Sequence, residues 1–234
     1  MKGVPSALMG GTVVSAALAI AAAPWALDLP LLAWCFKPLT TVLLIVFAAQ
    51  RGNTPAGLRR WLLAGLVASL IGDIALLWPR EGFVPGLVSF LVAHLLYLRA
   101  FTRDARFVRA WPLAFAVYAL VAAGLLARLW PGVPAALHAP VIAYVVCLAA
   151  MAAQAAARAR QRGDGLAWRA AAGGALFVTS DALLAFDRFA APLPAASLCI
   201  LATYWAAQAC IAASLPPVAG AAEPAHGSAR ASTA

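Results

Sequence analysis

The chain has 234 residues, of which 65% are hydrophobic and only 11% charged; its mean hydropathy is +0.89. That composition excludes an ordinary soluble domain, and Ala- and Leu-rich segments without alternating polarity exclude a β-barrel. The net charge of +9 raises nucleic acid as a partner, but the cations cluster at the ends of apolar segments. They read as topology signals and as contacts with anionic membrane lipids, leaving no support for nucleic acid.

A membrane-crossing helix needs about 20 mostly apolar residues. Eight segments meet that requirement: 7–27, 31–50, 59–78, 83–101, 109–130, 134–157, 166–187 and 193–215. The expected fold is an all-α membrane protein of eight transmembrane helices, one domain over residues 1–215. Residues 216–234 are small, polar and Pro-containing, and read as a disordered tail. Arg51, Arg59, Arg60, Arg99, Arg103, Arg106, Arg109, Arg158, Arg160, Arg162 and Arg169 fall on one side of an eight-span arrangement, with Lys2 and Arg230. Arg80, Arg128 and Arg188 fall on the other. The positive-inside rule then places both termini in the cytoplasm and the chain in the cell (inner) membrane. A second reading of the N-terminus is a secretory signal, since Lys2 and an apolar run precede Ala21, Ala22 and Ala23. Cys35, Cys147, Cys199 and Cys210 lie in apolar spans without CxxC spacing and read as inert buried thiols.

Two spans share a pattern. The third closes on Ser69-Leu-Ile-Gly-Asp73-Ile-Ala-Leu-Leu-Trp78 and the seventh on Thr179-Ser-Asp181-Ala-Leu-Leu-Ala-Phe186. Four spans separate them, so a 4+4 parallel pseudo-repeat would make Asp73 and Asp181 equivalent. Membrane bundles often build sites at repeat interfaces.

Ionisable residues inside a bilayer are costly, about 2.5–3.5 kcal/mol each on the milder scale, and are functional candidates by default. Asp73 and Asp181 both fall about 8–9 Å from the outer end of their spans at 1.5 Å per residue, and Lys37 lies at a similar depth. A shared cavity in the outer half of the membrane is therefore expected. Two carboxyls in different surroundings would supply a proton donor and a base. Pro38 suggests a break at Lys37, with a half-helix whose free amides, the ammonium, Thr40 and Thr41 form an anion site. His94 is either a structural or a catalytic histidine, with Tyr97 on its helical face. Tyr204 and Gln208 form an i,i+4 polar stripe; interhelical hydrogen bonding is the simpler reading. Ser180 beside Asp181 reads as a site hydroxyl or as a helix-backbone bond. Asp187 and Arg188 read as a solvated ion pair at the outer mouth.

The pattern lacks the histidine spacing of a zinc hydrolase, the GxSxG of a serine nucleophile and the glycine signatures of nucleotide binding. No metal and no cofactor are expected. Acid–base hydrolysis and proton coupling in a carrier both remain open.

Lys37-Pro38-Leu39-Thr40, Gly72-Asp73, Phe90 with Ala93-His94-Leu95-Leu96-Tyr97, Phe177 with Ser180-Asp181, and Tyr204 with Gln208 together resemble the YhhN-like lysoplasmalogenase family over residues from about 31 to 215. The resemblance implies a multi-pass membrane hydrolase that cleaves the vinyl ether bond of lysoplasmalogens to a fatty aldehyde and a glycerophospho-base. It implies a lysophospholipid substrate, Asp181 as acid, Asp73 as base and Lys37 on the phosphate. His94, Tyr97, Tyr204 and Gln208 would position water and the glycerol hydroxyl. The rival reading is a proton-coupled transporter of a small or lipid-like solute.

Overall fold

The structure is a computed structural model in which residues 4–52, 57–78, 80–107 and 111–218 are described. The described residues form eight α-helices: α1 (Val4–Ala21), α2 (Pro30–Ala49), α3 (Leu58–Ala75), α4 (Phe83–Phe101), α5 (Pro112–Leu129), α6 (His138–Arg162), α7 (Gly165–Phe189) and α8 (Ala196–Ala213). Two single turns of 3-10 helix link α5 to α6. Six helices are long and apolar enough to cross a membrane. The other two are α1 and α3, the latter carrying Arg59, Arg60 and Asp73. Large apolar side chains point outward, with Leu31 79% and Leu120 74% exposed. Water would penalise that surface; lipid does not.

The predicted spans fall on the observed helices, with three adjustments. The first helix ends at Ala21 rather than 27, and the chain turns through Asp28 at a φ of 50°. The sixth runs on to Arg162, beyond the expected end at 157. The predicted break at Lys37 is absent: α2 continues through Pro38. Bundle interiors tolerate proline because neighbouring groups satisfy the disturbed backbone. Beside it, the Thr40 hydroxyl donates to the Phe36 carbonyl at 2.7 Å and accepts from Ser15 Oγ at 2.8 Å, which ties α1 to α2 at this level. No free half-helix N-terminus points into a cavity there. Of the expected tail, Pro216 accepts a bond from the Gly52 N–H at 2.8 Å, while 219–234 lie outside the described residues, as do Lys2 and Arg109. The four cysteines are free, and Cys35 and Cys199 are exposed rather than buried.

The arginine-rich end is tied together by side chains. Arg51 donates to the Leu215 carbonyl through Nε and Nη2, and Arg59 to that of Ala49. These cations meet the negative ends of α8 and α2. Burial, followed by the neighbouring Arg169, lowers the Arg51 pKa from its ordinary value. Arg158 is almost fully buried and grips Asp104 with two bonds of 2.7 and 2.8 Å, a fixed anchor for the segment after α4.

In the bundle, α8 packs on α7, α2, α1 and α3; α4 packs on α3 and α6; α6 also meets α5 and α7. Small residues allow close approach, as where Gly174 faces Ala152. Replacing α1–α4 by α5–α8 maps the interfaces α1–α2, α2–α3 and α3–α4 onto α5–α6, α6–α7 and α7–α8, and α2–α8 onto α6–α4. All of these interfaces occur. The correspondence fails at three interfaces: α1–α8, α5–α7 and α3–α8 have no comparable counterpart in α5–α4, α1–α3 or α7–α4.

Candidate active site

Asp73, near the end of α3, is 1% exposed. Its Oδ2 accepts hydrogen bonds from Thr41 Oγ1 on α2 at 2.6 Å and Tyr204 Oη on α8 at 2.8 Å. Gln208 Nε2 donates to Tyr204 Oη at 3.2 Å, and Tyr97 Oη donates to Gln208 Oε1 at 2.7 Å. Trp205 Nε1 donates to Thr41 Oγ1 at 3.3 Å. The helical spacing of four brings Tyr204 and Gln208 onto one face. Lys37 stands one turn before Thr41 on α2 and lies in the field of Asp73, without a direct ion pair to it among the described residues. This is a closed, well-satisfied polar network, which fixes α2, α3, α4 and α8 against one another.

Asp181, on α7, has different surroundings. Its Oδ2 accepts from Tyr144 Oη on α6 at 2.6 Å and meets His94 Nε2 on α4 at 3.1 Å. His94 is fully buried, and its Nδ1 has no protein partner. The imidazole is held edge-on to Phe177, with ring centroids 4.6 Å apart, and beside Tyr144. The Asp181 side chain is 12% exposed, and what it is exposed to is a cleft. That cleft has about 940 Å³ of non-atom space, the open solvent at its mouth included. Its walls come from α4, α5, α6 and α7, with Leu76 from the end of α3. The lining is overwhelmingly aliphatic and aromatic; Asp181, Tyr144 and Tyr118 carry its polar side-chain atoms. The lining reaches Phe83, Leu129 and Phe189, at the end of the bundle opposite the arginine-rich one.

The sequence-derived site thus divides in two. Asp181 lines the cleft, with His94 behind its carboxylate. Asp73, Tyr204, Gln208 and Tyr97 form the closed network, and neither they nor Lys37 line the cleft. Phe177 touches both centres: its ring packs on His94 and on Tyr204, the latter at 5.5 Å. The two carboxylates do not face each other across a common pocket. Thr40 turns to α1, sharing a 2.8 Å hydrogen bond with Ser15; Thr41 is the hydroxyl that reaches Asp73. Ser180 donates to the Ile200 carbonyl on α8 at 3.0 Å, a helix-to-helix tie. The expected Asp187–Arg188 ion pair is replaced by two separate contacts. Asp187 Oδ1 accepts from the Leu193 N–H at 2.8 Å, and the Arg188 guanidinium lies 4.8 Å from the Phe83 ring centroid.

Tyr144 is the residue that sequence reasoning missed. The signal was present: the chain has four tyrosines, and a phenol inside an apolar helix needs a partner for its hydroxyl.

These features define a multi-pass helical membrane protein with two buried aspartate centres, one of which opens to an intramembrane cleft. The YhhN family profile matches residues 32–215, which takes in both centres, and the chain belongs to the YhhN family. It is similar to lysoplasmalogenase TMEM86B of Homo sapiens, 38% identical over 156 residues, covering 66% of this chain and 63% of the relative. TMEM86B of Sus scrofa is 36% identical over 179 residues, covering 76% of this chain and 73% of the relative. The membrane protein YhhN of Escherichia coli O157:H7 is 39% identical over 97 residues, 42% of this chain and 46% of the relative. The chain therefore spans somewhat less than two thirds of the human relative's length. No solved structure matches it.

Proposed function

We propose that this protein is an integral membrane lysoplasmalogenase that hydrolyses the vinyl ether bond of a lysophospholipid, giving a fatty aldehyde and a glycerophospho-base. The observation that carries this reading is the Asp181 carboxyl, held by His94 and Tyr144, in an otherwise apolar cleft. The names of the TMEM86 relatives point to the same reaction.

The chemistry follows from the substrate. A vinyl ether reacts by taking a proton on its β-carbon, which leaves an oxocarbenium ion. Asp181 in its acid form donates that proton, and the resulting carboxylate faces the cation it has created. Water then adds to the carbon bearing oxygen and returns a proton to the Asp181–His94 pair. The hemiacetal collapses as the pair protonates the departing glycerol oxygen and takes up the proton of the hemiacetal hydroxyl, which becomes the aldehyde carbonyl. One water is consumed, and the acid is restored. No metal or cofactor takes part in this scheme. Asp73 does not border the cleft, so we assign it and Lys37 to support rather than to water activation. Their network holds α4 and α8, the helices that carry His94 and Tyr204. Tyr97 and Gln208 belong to the same support.

In this reading all eight helices cross the cell (inner) membrane with both termini cytoplasmic, and the arginine-rich end faces the cytoplasm. The bundle is a 4+4 parallel duplication, supported by the matching interfaces and by the matched aspartates.

Incubating purified protein with a lysoplasmalogen and with its saturated ether analogue tests the reading. Aldehyde is expected from the vinyl ether alone. Aldehyde from neither substrate, with solute flux in proteoliposomes, would replace the hydrolase by a proton-coupled carrier.

A further inference from the structure

The failed correspondence between α1 and α5 has a functional reading, which rests on the hydrolase assignment above. Both aspartates sit in equivalent frameworks, yet only Asp181 meets a cleft. The difference that bears on the cleft is how α1 and α5 pack. On the Asp73 side, α1 packs on α8 and on α2. On the Asp181 side, α5 packs on α6 and α7 but stands off α4. The cleft is bounded by α4 on one side, with Leu87 and Phe90, and by α5 on the other, with Ala122 and Leu125. The gap therefore leads sideways, from Asp181 toward lipid.

The outward direction has a different chemistry. Arg188 follows Asp181 by seven residues on α7, two turns along the same face, which is about 10 Å. It is exposed, stacks on Phe83, a residue of the cleft wall, and has no ion-pair partner among the described residues. A guanidinium held by a ring rather than by a carboxylate still has its N–H donors to offer an oxyanion. Asp187, its neighbour in sequence, is engaged with the Leu193 amide. Lys37, by contrast, is outside the cleft lining.

We infer the pose of the substrate: a single-chain phospholipid whose phosphate meets Arg188 at the mouth, whose vinyl ether lies at Asp181, and whose tail leaves the bundle between α4 and α5. The pose suits a lipid anchored in one leaflet, with its head at the surface and its tail toward the bilayer. It also explains why one chain suffices: a second chain at the glycerol would have to enter the apolar cleft beside the first.

Two variants test it, each against a selective readout. Arg188→Gln is expected to raise KM about tenfold for the phosphate-bearing substrate and to leave a phosphate-free alkenylglycerol unchanged. Ala122→Trp is expected to reduce kcat/KM at least tenfold for a long-chain vinyl ether and much less for a short-chain one. Leu120→Trp, on the lipid-facing side of α5, leaves both chain lengths unchanged. Should Ala122→Trp not fold, Ala122→Leu with the same substrates replaces it. Photolabelling with a non-cleavable alkyl lysophospholipid bearing a diazirine at its tail provides a readout without turnover; label is expected on α4 and α5. Label on α1 or α2 would overturn the pose, as would equal losses for all substrates in either variant. An Arg188→Gln protein with unchanged KM, paired with a Lys37→Gln protein that loses phosphate discrimination, would move the head group to Lys37 and end the inference. Label on α4 and α5 in a protein that releases no aldehyde would keep the pose and discard the hydrolase.

Discussion

Asp73 and Asp181 are held in the same way by opposite halves of the bundle. Each engages both partners at one carboxylate oxygen, Oδ2. One partner comes from the second helix of its own half, Thr41 on α2 or Tyr144 on α6. The other comes from the fourth helix of the other half, Tyr204 on α8 or His94 on α4. The two centres are thus interlocked, since each half completes the other's site. The proposed division of labour rests on how the surroundings of the two aspartates differ. Asp73 has a threonine and a tyrosine where Asp181 has a tyrosine and a histidine. An α1 that closes against α8 leaves no cleft. In the proposed reading the Asp73 centre is a strut and the Asp181 centre an acid.

Asp181→Asn tests the chemical half of that statement. The amide is nearly isosteric and still accepts from Tyr144, so the fold should survive. It cannot deliver a proton to carbon. We expect aldehyde release to fall by about 10²–10⁴-fold, the usual contribution of a positioned acid, with an unchanged melting temperature in detergent. Full activity in this variant would remove the mechanism.

Asp73→Asn should behave in the opposite sense. The substitution withdraws the charge that faces Lys37 and weakens two hydrogen bonds in a site 1% exposed. A loss of stability of about 1–3 kcal/mol is expected for a disturbed buried network. It should register as a lower melting temperature, with residual turnover well above that of Asp181→Asn. Equal, complete inactivation of a fully stable Asp73→Asn protein would restore Asp73 to the chemistry.

Tyr144→Phe isolates the residue that sequence reasoning did not find. The ring still packs against His94, with centroids 5.2 Å apart in the parent, but the 2.6 Å bond to Asp181 is gone. Hydrogen bonds to charged groups contribute about 1.5–3 kcal/mol, so kcat should drop at least tenfold. KM should change little, because the hydroxyl touches the acid rather than the lipid tail. A kcat within twofold of the parent would show that His94 alone positions Asp181.

The sequence made the polar residues conspicuous because each one interrupts an apolar run. Asp73, His94, Asp181 and Lys37 were legible for that reason, and so were the helices around them. Depth could also be counted along each helix. Lateral position could not. Lys37, Asp73 and Asp181 lie in one layer when counted from the span ends, yet the Phe177 ring stands between His94 of the Asp181 centre and Tyr204 of the Asp73 centre. A linear count carries no information on which helices are neighbours. The same limit hid Tyr144, whose partner is 37 positions away, and turned Thr40 the wrong way. At Pro38 the local rule was sound for an isolated helix; in the bundle α2 runs through it, as packed membrane helices allow.

Outside the membrane-spanning helices, Asp164 gives a pH prediction. It caps α7, accepting from the Ala167 N–H at 2.8 Å, and binds Arg162 Nε at 2.7 Å. The Ala167 bond, and secondarily Arg162, lower its pKa from the ordinary value. A depressed carboxyl stabilises the fold above its unfolded pKa, and that contribution fades as pH falls through the lower folded value. Asp164→Ala should therefore cost about 1 kcal/mol at about pH 6, a typical cap loss, and the gap to the parent should narrow below about pH 4, near the unfolded carboxylate value. Thermal unfolding across that range checks the sign. A gap that widens in acid would exclude the carboxylate as its source.

Gly65 tests how tightly the support is built. It lies on α3 against the ring of Tyr97, and an added Cβ would fall 2.2 Å from Tyr97 Cε1. The ring has little room to yield, since it is fully buried and its hydroxyl is bound to Gln208. Gly65→Ala must therefore separate α3 from α4 or break the Tyr97–Gln208 bond. Overpacking of this kind costs about 1–3 kcal/mol. The control is Gly124→Ala on α5, where an added Cβ meets nothing within 4 Å. The first variant should melt well below the parent and the second at the parent's temperature or slightly above it. If both melt alike, α3 and α4 have slack, and the Asp73 network cannot be the rigid frame on which the alignment of His94 with Asp181 depends.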